Sequence, residues 1–346
     1  MTPRAAKIAP FLDAHGWASA RRAPLAGDAS NRRYERLTDG PDGQGAVLMD
    51  APPEKGEKIA PFVQIAQHLS ALGFSAPRII AQDREAGLLL IEDLGDALYA
   101  RIIAEGRAEE TKLYTAAVDL LVELHRHPPP DWIGPYDVQL MAEKAALAGQ
   151  WYLGGSTAEP APFPDHPGAH AVHAAILPLL EAHANETSVL IQRDYHAENL
   201  IWLPERDGSA RVGLLDFQDA LVGHPSYDLA SLLEDARRDV PRALQQEMIA
   251  HYTAARGLKE TRFRRAYALL AAQRNLRILG VFSRLSLHFG KTHYIALIPR
   301  VWAHLMHDLS HPDLAPLQHE VLTWLPPPDL DVLNRLTDRC ATIPKP

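Results

Sequence analysis

The sequence has almost no cysteine: Cys340 is the single one among 346 residues. One thiol cannot form an intramolecular disulfide, so a disulfide framework is excluded and a reducing, cytoplasmic setting is expected. Long apolar runs are missing as well. No window approaches the roughly 18 uninterrupted apolar residues that a membrane-spanning helix requires. The opening stretch "MTPRAAKIAPFLDAHGW" places Pro10 and Asp13 where a secretory signal needs an unbroken apolar segment, so no signal peptide is read there. Net positive charge is also lacking. A balance of −8 argues against a nucleic-acid-binding surface over the whole chain. With 47% hydrophobic and 23% charged residues and no low-complexity tract, the composition is that of a globular protein.

The length exceeds what one hydrophobic core usually serves, so two lobes are expected. Residues 1–94 read as mixed α/β. "ASNRRYERL" and "GAVLMDAPP" look like strands, "IAPFVQIAQHLSALGF" is an amphipathic helix, and "PRIIAQD" and "GLLLIED" flank the turn "REAG". Residues 95–346 show long helical periods, interrupted once by the β-rich stretch "SVLIQRDYHAENLIWLPERDGSARVGLLDFQDA". The expected fold class is α+β, with a small β-rich N-lobe (1–94) and a larger helical C-lobe (95–346).

Chemistry concentrates in that interruption. Two apolar runs, "LIWL" and "RVGLL", are separated by Asp207-Gly208, a dipeptide suited to a two-residue hairpin turn. A turn centred there puts Asn199 opposite Asp216 at the open end of the hairpin. Asp194, five residues before Asn199, enters the same end. One amide and two carboxylates provide hard oxygen ligands for Mg²⁺ and one carboxylate to take a proton from an attacking hydroxyl. Phosphoryl transfer from ATP needs that set, and R-D-x-x-x-x-N followed by D-F matches the catalytic loop and metal-binding aspartate of kinases. Either piece alone reads as a polar turn or a strand end; together they point to a kinase.

The acceptor is addressed by charge. Between Ser231 and Arg300 five acidic residues face thirteen basic ones, against a negative balance for the chain. Arg237, Arg238, Arg274, Arg277 and Arg284 favour an anionic or polar neutral acceptor over a cationic one. Other features carry less. "FGKT" at 289–292 lacks the upstream glycine and the strand-to-helix context of a P-loop. His166, His170 and His173 have a zinc-like spacing that Pro167-Gly168 disrupts and no further ligand completes. Cys340 has no evident partner base.

On these motifs the chain resembles the aminoglycoside phosphotransferase-like kinases, and the resemblance covers most of its length. It implies a two-lobed protein-kinase-like fold that uses ATP and Mg²⁺. Asp194 corresponds to the general base, and Asn199 and Asp216 to the metal ligands. Ser30, Asn31 and Arg32 would lie over the phosphates, and backbone groups from Glu92 to Leu94 would hold adenine. Asp228 would anchor its helix to the catalytic loop, and His196 would brace the loop. Two departures stand out. Gln192-Arg193 replaces the usual His-Gly, and Met49 stands where the phosphate-binding lysine is expected, with Gln64 at the position of its glutamate partner. Losing both halves of an ion pair is coherent, since a lone buried charge is costly. A cation must then come from elsewhere, with Arg32, Arg33 and Lys55 as candidates. "MDAPPEK", "EDARRDVP" and "QRNLRILGVFSRL" further resemble a bacterial branch that phosphorylates the anomeric C1 hydroxyl of N-acetylmuramate and N-acetylglucosamine. The resemblance implies a small amino-sugar substrate, for which Arg237, Arg274 and Asn275 are the candidate contacts. A nucleotide-binding pseudokinase, or a kinase of aminoglycosides, choline or homoserine, is the alternative.

Overall fold

A computed structural model describes residues 4–25, 31–157 and 166–343. Nine strands lie among them: β1 (Arg21–Pro24), β2 (Arg33–Thr38), β3 (Ala46–Asp50), β4 (Ile79–Asp83), β5 (Leu88–Glu92), β6 (Val189–Ile191), β7 (Leu200–Trp202), β8 (Val212–Leu214) and β9 (Leu221–Gly223). The chain divides into two compact units, one of Met1–Leu120 with Ala197–Ala220, the other of Leu121–His196 with Leu221–Pro346. This differs from the split at residue 94 read from the sequence. The first unit keeps the β7–β8 hairpin because the hairpin is bonded to it: Leu214 N–H donates to the Ser75 carbonyl (2.9 Å) and Trp202 N–H to that of Ala97 (2.8 Å).

In the first unit β1 to β5 form an antiparallel sheet in the order β1-β2-β3-β5-β4. Central β3, "AVLMD", is buried at every position, as a strand covered on both faces must be. Edge strand β1, "RRAP", is exposed throughout, and its charges and proline gave no strand signal in the sequence. The face bearing Leu37, Leu48, Leu88 and Leu90 is covered by Ile8, Phe11 and Leu12 of the helix Ala5–Ala14. Arg4 at the start of that helix pairs with Asp50.

The second unit is helical around the 28-residue helix Glu260–Leu287, most of whose residues are buried. A Cβ on Gly280 would come within 2.4 Å of the Leu147 backbone, so only glycine permits this helix so close to its neighbour. The helix Val138–Ala145 is followed by a π-helical turn, Ala148–Leu153. Gly149 explains the irregularity, since its Cα side lies against the backbone of Ala169 with no room for a side chain. Strands β6 and β9 pair antiparallel in this unit, and no helix among the described residues is long and apolar enough to cross a membrane.

Candidate active site

The β7–β8 hairpin exists as expected, but its register does not. Leu200 pairs with Leu214 and Trp202 with Val212, so pairing is centred on residue 207 rather than between 207 and 208. Asn199 therefore faces Leu215, whose N–H donates to the Asn199 carbonyl (3.0 Å), and Asp216 lies one residue further on. Asp207-Gly208 is not a two-residue turn. Asp207 is extended (φ −105°, ψ 153°) and Gly208 opens a 3₁₀ turn, Gly208–Arg211. The longer loop is pinned by tertiary contacts, with Arg206 donating to Glu92 (2.8 Å) and to the Ser75 hydroxyl (2.7 Å).

Asp216 sits in the left-handed region at φ 55°, a conformation that costs a non-glycine residue energy and recurs at functional sites. The flanking residues hold it there. Phe217 is fully buried, with its ring 4.9 Å from that of Phe62 on the helix Ala60–Ala71. Gln218 Nε2 donates to Asp216 Oδ1 (2.6 Å). Among the described residues no group of three or more His, Cys, Asp or Glu is arranged to hold a metal ion. An amide and a carboxylate oxygen from Asn199 and Asp216 fit Mg²⁺, which binds few protein ligands and completes its octahedron with phosphate oxygens and water.

Other first-unit residues named from the sequence are placed as follows. Ser30 lies outside the described residues. Asn31 donates its N–H to Glu57 Oε1 (3.0 Å), and Arg32 Nε donates to Glu57 Oε2 (3.0 Å). Met49 is fully buried, while Gln64 is exposed. Glu92 gives its side chain to Arg206 and its N–H to the Arg78 carbonyl (2.9 Å), so that N–H is already engaged. Leu94 is buried. Asp93 next to it pairs with Arg36 (2.6 Å) and accepts from the Gly95 N–H (2.9 Å), which fixes the segment.

In the second unit the loop after β6 is anchored from beneath by Asp228. The Gln192 N–H donates to its Oδ2 (2.6 Å) and the Arg193 N–H to its Oδ1 (2.9 Å). Those bonds hold Arg193 at φ 72°, and the Ser231 hydroxyl donates to its carbonyl (3.2 Å). The Arg193 guanidinium stands over the Tyr136 ring, 5.6 Å from its centroid. Burial pushes the Asp228 carboxyl up to about 7, against the two backbone bonds that favour its charge. Asp194 behaves oppositely. Burial opposes its charge, but Arg277, His196, Arg193 and Arg274 together hold its pKa below the usual carboxylate range. His196 is buried and pushed down to about 4, so it is neutral at pH 7.

The sequence model of the phosphotransferase enzyme family matches residues 21–271 of the chain. The chain belongs to the phosphotransferase enzyme family. Relatives within reach of sequence include the N-acetylmuramate/N-acetylglucosamine kinase of Caulobacter vibrioides, 39% identical over 91% of this chain and 95% of that protein. The protein of the same name from Pseudomonas putida is 34% identical, with 84% of each chain covered. Among solved structures, the microcompartment-associated aminopropanol kinase covers 90% of this chain and 99% of its own at 15% identity, with a TM-score of 0.61. An aminoglycoside phosphotransferase in a ternary complex with streptomycin and ATP covers 81% and 91% at 16% identity, with a TM-score of 0.55. At these identities the likeness carries the fold, and the kinase-like α+β class expected from the sequence is the class found.

For a phosphotransferase of this kind the three acceptor candidates fall in different surroundings. Arg274 is buried, donates to the Glu234 carbonyl (3.3 Å) and acts electrostatically on Asp194. Arg237 is half-buried, donates its N–H to Asp235 Oδ1 (2.8 Å) and lies in the field of His196. Asn275 is buried with its Nδ2 donating to both Glu234 and Asp308 (2.9 Å each), so its amide N–H₂ holds two buried carboxyls together. Two residues of consequence were not tied to Asp194 or the phosphate segment by the sequence reading, which counted Arg277 only among the arginines favouring an anionic or polar neutral acceptor. Arg277, one turn after Arg274 on the same helix, leads the groups that keep Asp194 ionised; its i+3 spacing from Arg274 was the available signal. Glu57 had none. His166 accepts from the Gly168 N–H (3.0 Å) as the cap of the helix Pro167–His183.

Proposed function

We propose that this protein is an ATP-dependent kinase that phosphorylates the anomeric C1 hydroxyl of N-acetylmuramate and N-acetylglucosamine. The observation that carries the reading is Asp194, a half-buried carboxylate kept ionised by arginines at the end of a loop whose backbone is fixed by Asp228. The names of the relatives, two of them above 30% identity over most of this chain, supply the acceptor.

In this reading Asp194 accepts the proton of the C1 hydroxyl as its oxygen bonds to the γ-phosphorus and the bond from that phosphorus to the β–γ bridging oxygen breaks. A carboxylate with a depressed pKa is a weak base, so its proton transfer comes late, when the hydroxyl has become acidic. Asn199 and Asp216 would hold Mg²⁺, which when bound would neutralise charge on the phosphate oxygens. Arg274 and Arg237 orient the sugar, and a guanidinium there matches the lactyl carboxylate of N-acetylmuramate as a bidentate partner. The protein is expected to work in the cytoplasm on a small molecule, without nucleic acid or membrane.

Met49 favours one second reading, a nucleotide-binding regulator without turnover, because an apolar, fully buried side chain replaces the expected lysine. Mg²⁺-dependent ADP release, measured with N-acetylmuramate, N-acetylglucosamine, kanamycin and choline, separates the two. Release with the amino sugars alone supports the proposal. Release with kanamycin but not the sugars would move the protein to another branch, and no release with any acceptor would favour the regulator.

A further inference from the structure

A cation lies next to the cross-strand neighbour of Met49. Tyr34 on β2 is the cross-strand partner of Met49 on β3, and directly paired residues project to the same face of a sheet. Arg32 lies in the loop just before β2, and its side chain hydrogen-bonds that of Tyr34. Its Nε donates to Glu57 Oε2 at 3.0 Å, with the two side chains only 11% and 12% exposed. Glu57 Oε1 accepts from the Asn31 N–H at 3.0 Å. One carboxylate thus clasps both the backbone and the guanidinium of the Asn31-Arg32 segment. Burial disfavours the charge on Arg32, yet Tyr34, Glu57 and Asp216 outweigh it.

The other two candidate cations lack this placement. Arg33 is exposed and pairs in register with Asp50, whose carboxylate is taken by Arg4 beneath the opposite face. Lys55 is exposed, and its carbonyl, not its ammonium, meets this segment, accepting from Asn31 Nδ2 at 3.5 Å.

We propose that Arg32 supplies the phosphate-binding charge absent at Met49, and that Glu57 is its positioning residue, so that a pair from two loops replaces the lysine–glutamate pair expected at 49 and 64. The assignment rests on the kinase reading above and adds to it the residues that meet the phosphates. A guanidinium suits the task because its five N–H donors form a fixed fork that matches both carboxylate and phosphate geometry. Glu57 in turn keeps the half-buried cation compensated before nucleotide arrives.

The test compares phosphate-bearing and phosphate-free ligands on the full-length protein. Calorimetry with MgATP, ADP and adenosine would be run on wild type, Arg32→Ala, Arg32→Lys and Glu57→Gln, with Arg33→Ala and Lys55→Ala as controls. A charged hydrogen bond to phosphate corresponds to about a 10- to 100-fold change in affinity. Arg32→Ala is expected to weaken MgATP by that factor and leave adenosine within about twofold. Arg32→Lys should restore part of the loss, and Glu57→Gln should raise KM for ATP more than KM for the sugar. Equal losses for ATP and adenosine would mean that Arg32 only shapes the fold, and would overturn the assignment, as would unchanged ATP affinity or a larger effect in either control. Turnover is scored separately: a wild type that binds ATP but transfers nothing to an amino sugar removes the functional reading, while the binding comparison still decides Arg32.

Discussion

Substituting Asp228 by asparagine tests how the catalytic loop is held, because it keeps the shape of the anchor and removes its titration. Asp228 is fully buried and its carboxyl is pushed up to about 7, against about 3.9 in an unfolded chain. A carboxyl raised on folding contributes stability that is fully present below the unfolded value and is lost as pH rises through the folded one. At about 1.4 kcal/mol per pH unit, wild type should lose about 3 kcal/mol through this group between pH 5 and pH 8. Asparagine does not titrate. It does turn an N–H₂ toward one of the two backbone N–H groups that Asp228 accepts from, at a pH-independent cost of about 1–3 kcal/mol. Thermal unfolding of both proteins across that range checks the argument. Relative to wild type, Asp228→Asn should be less stable at pH 5 and gain with rising pH, by roughly 2–4 °C in Tm per kcal/mol. Asp228→Ala, which leaves both N–H groups without the carboxylate, should lose Tm at every pH and lower kcat with it. A difference between Asp228→Asn and wild type that does not change with pH would refute the reasoning.

Three further substitutions probe the supports of the site. Phe217→Ala removes a fully buried ring packed 4.9 Å from Phe62; it should cost about 3–5 kcal/mol in chemical denaturation and reduce kcat by releasing the strained Asp216. Gly280→Ala drives a Cβ to within 2.4 Å of the Leu147 backbone, so about 1–3 kcal/mol or more should be lost, with no selective change in KM for ATP. Arg206→Ala breaks a pair with Glu92 whose side chains are 34% and 27% exposed; because such pairs are screened, the loss should stay near 1 kcal/mol and shrink in high salt.

What the sequence disclosed and what it concealed have physical reasons. The strands β2 to β5 were legible because alternating or continuous apolar patterns met clear turn residues, whereas β1 is four exposed residues held by pairing with β2 alone. The motif gave Asp194, Asn199 and Asp216 by type and spacing. Their register was misjudged by one residue because Asp207-Gly208 looks locally like a two-residue turn, while Arg206 reaching Glu92 and Ser75 imposes a longer loop. Tertiary bonds over more than a hundred residues leave no local trace. The same holds for Glu57: its partners Asn31 and Arg32 lie 26 and 25 positions away, in no motif. Asn275 likewise donates its amide N–H₂ to two buried carboxyls 41 and 33 positions away, bonds that no neighbour in the sequence announces.

The central claim is phosphoryl transfer to the C1 oxygen with Asp194 as the base. It is tested most directly by incubating wild type and Asp194→Asn with MgATP and N-acetylmuramate, and following the phosphorus spectrum of the product together with the reducing end of the sugar. Wild type should give a sugar monophosphate whose reducing end disappears in step with ADP, while Asp194→Asn should fold and bind ATP but transfer at least about a hundredfold more slowly. A product that keeps its reducing end, or an Asp194→Asn variant as fast as wild type, would contradict the account.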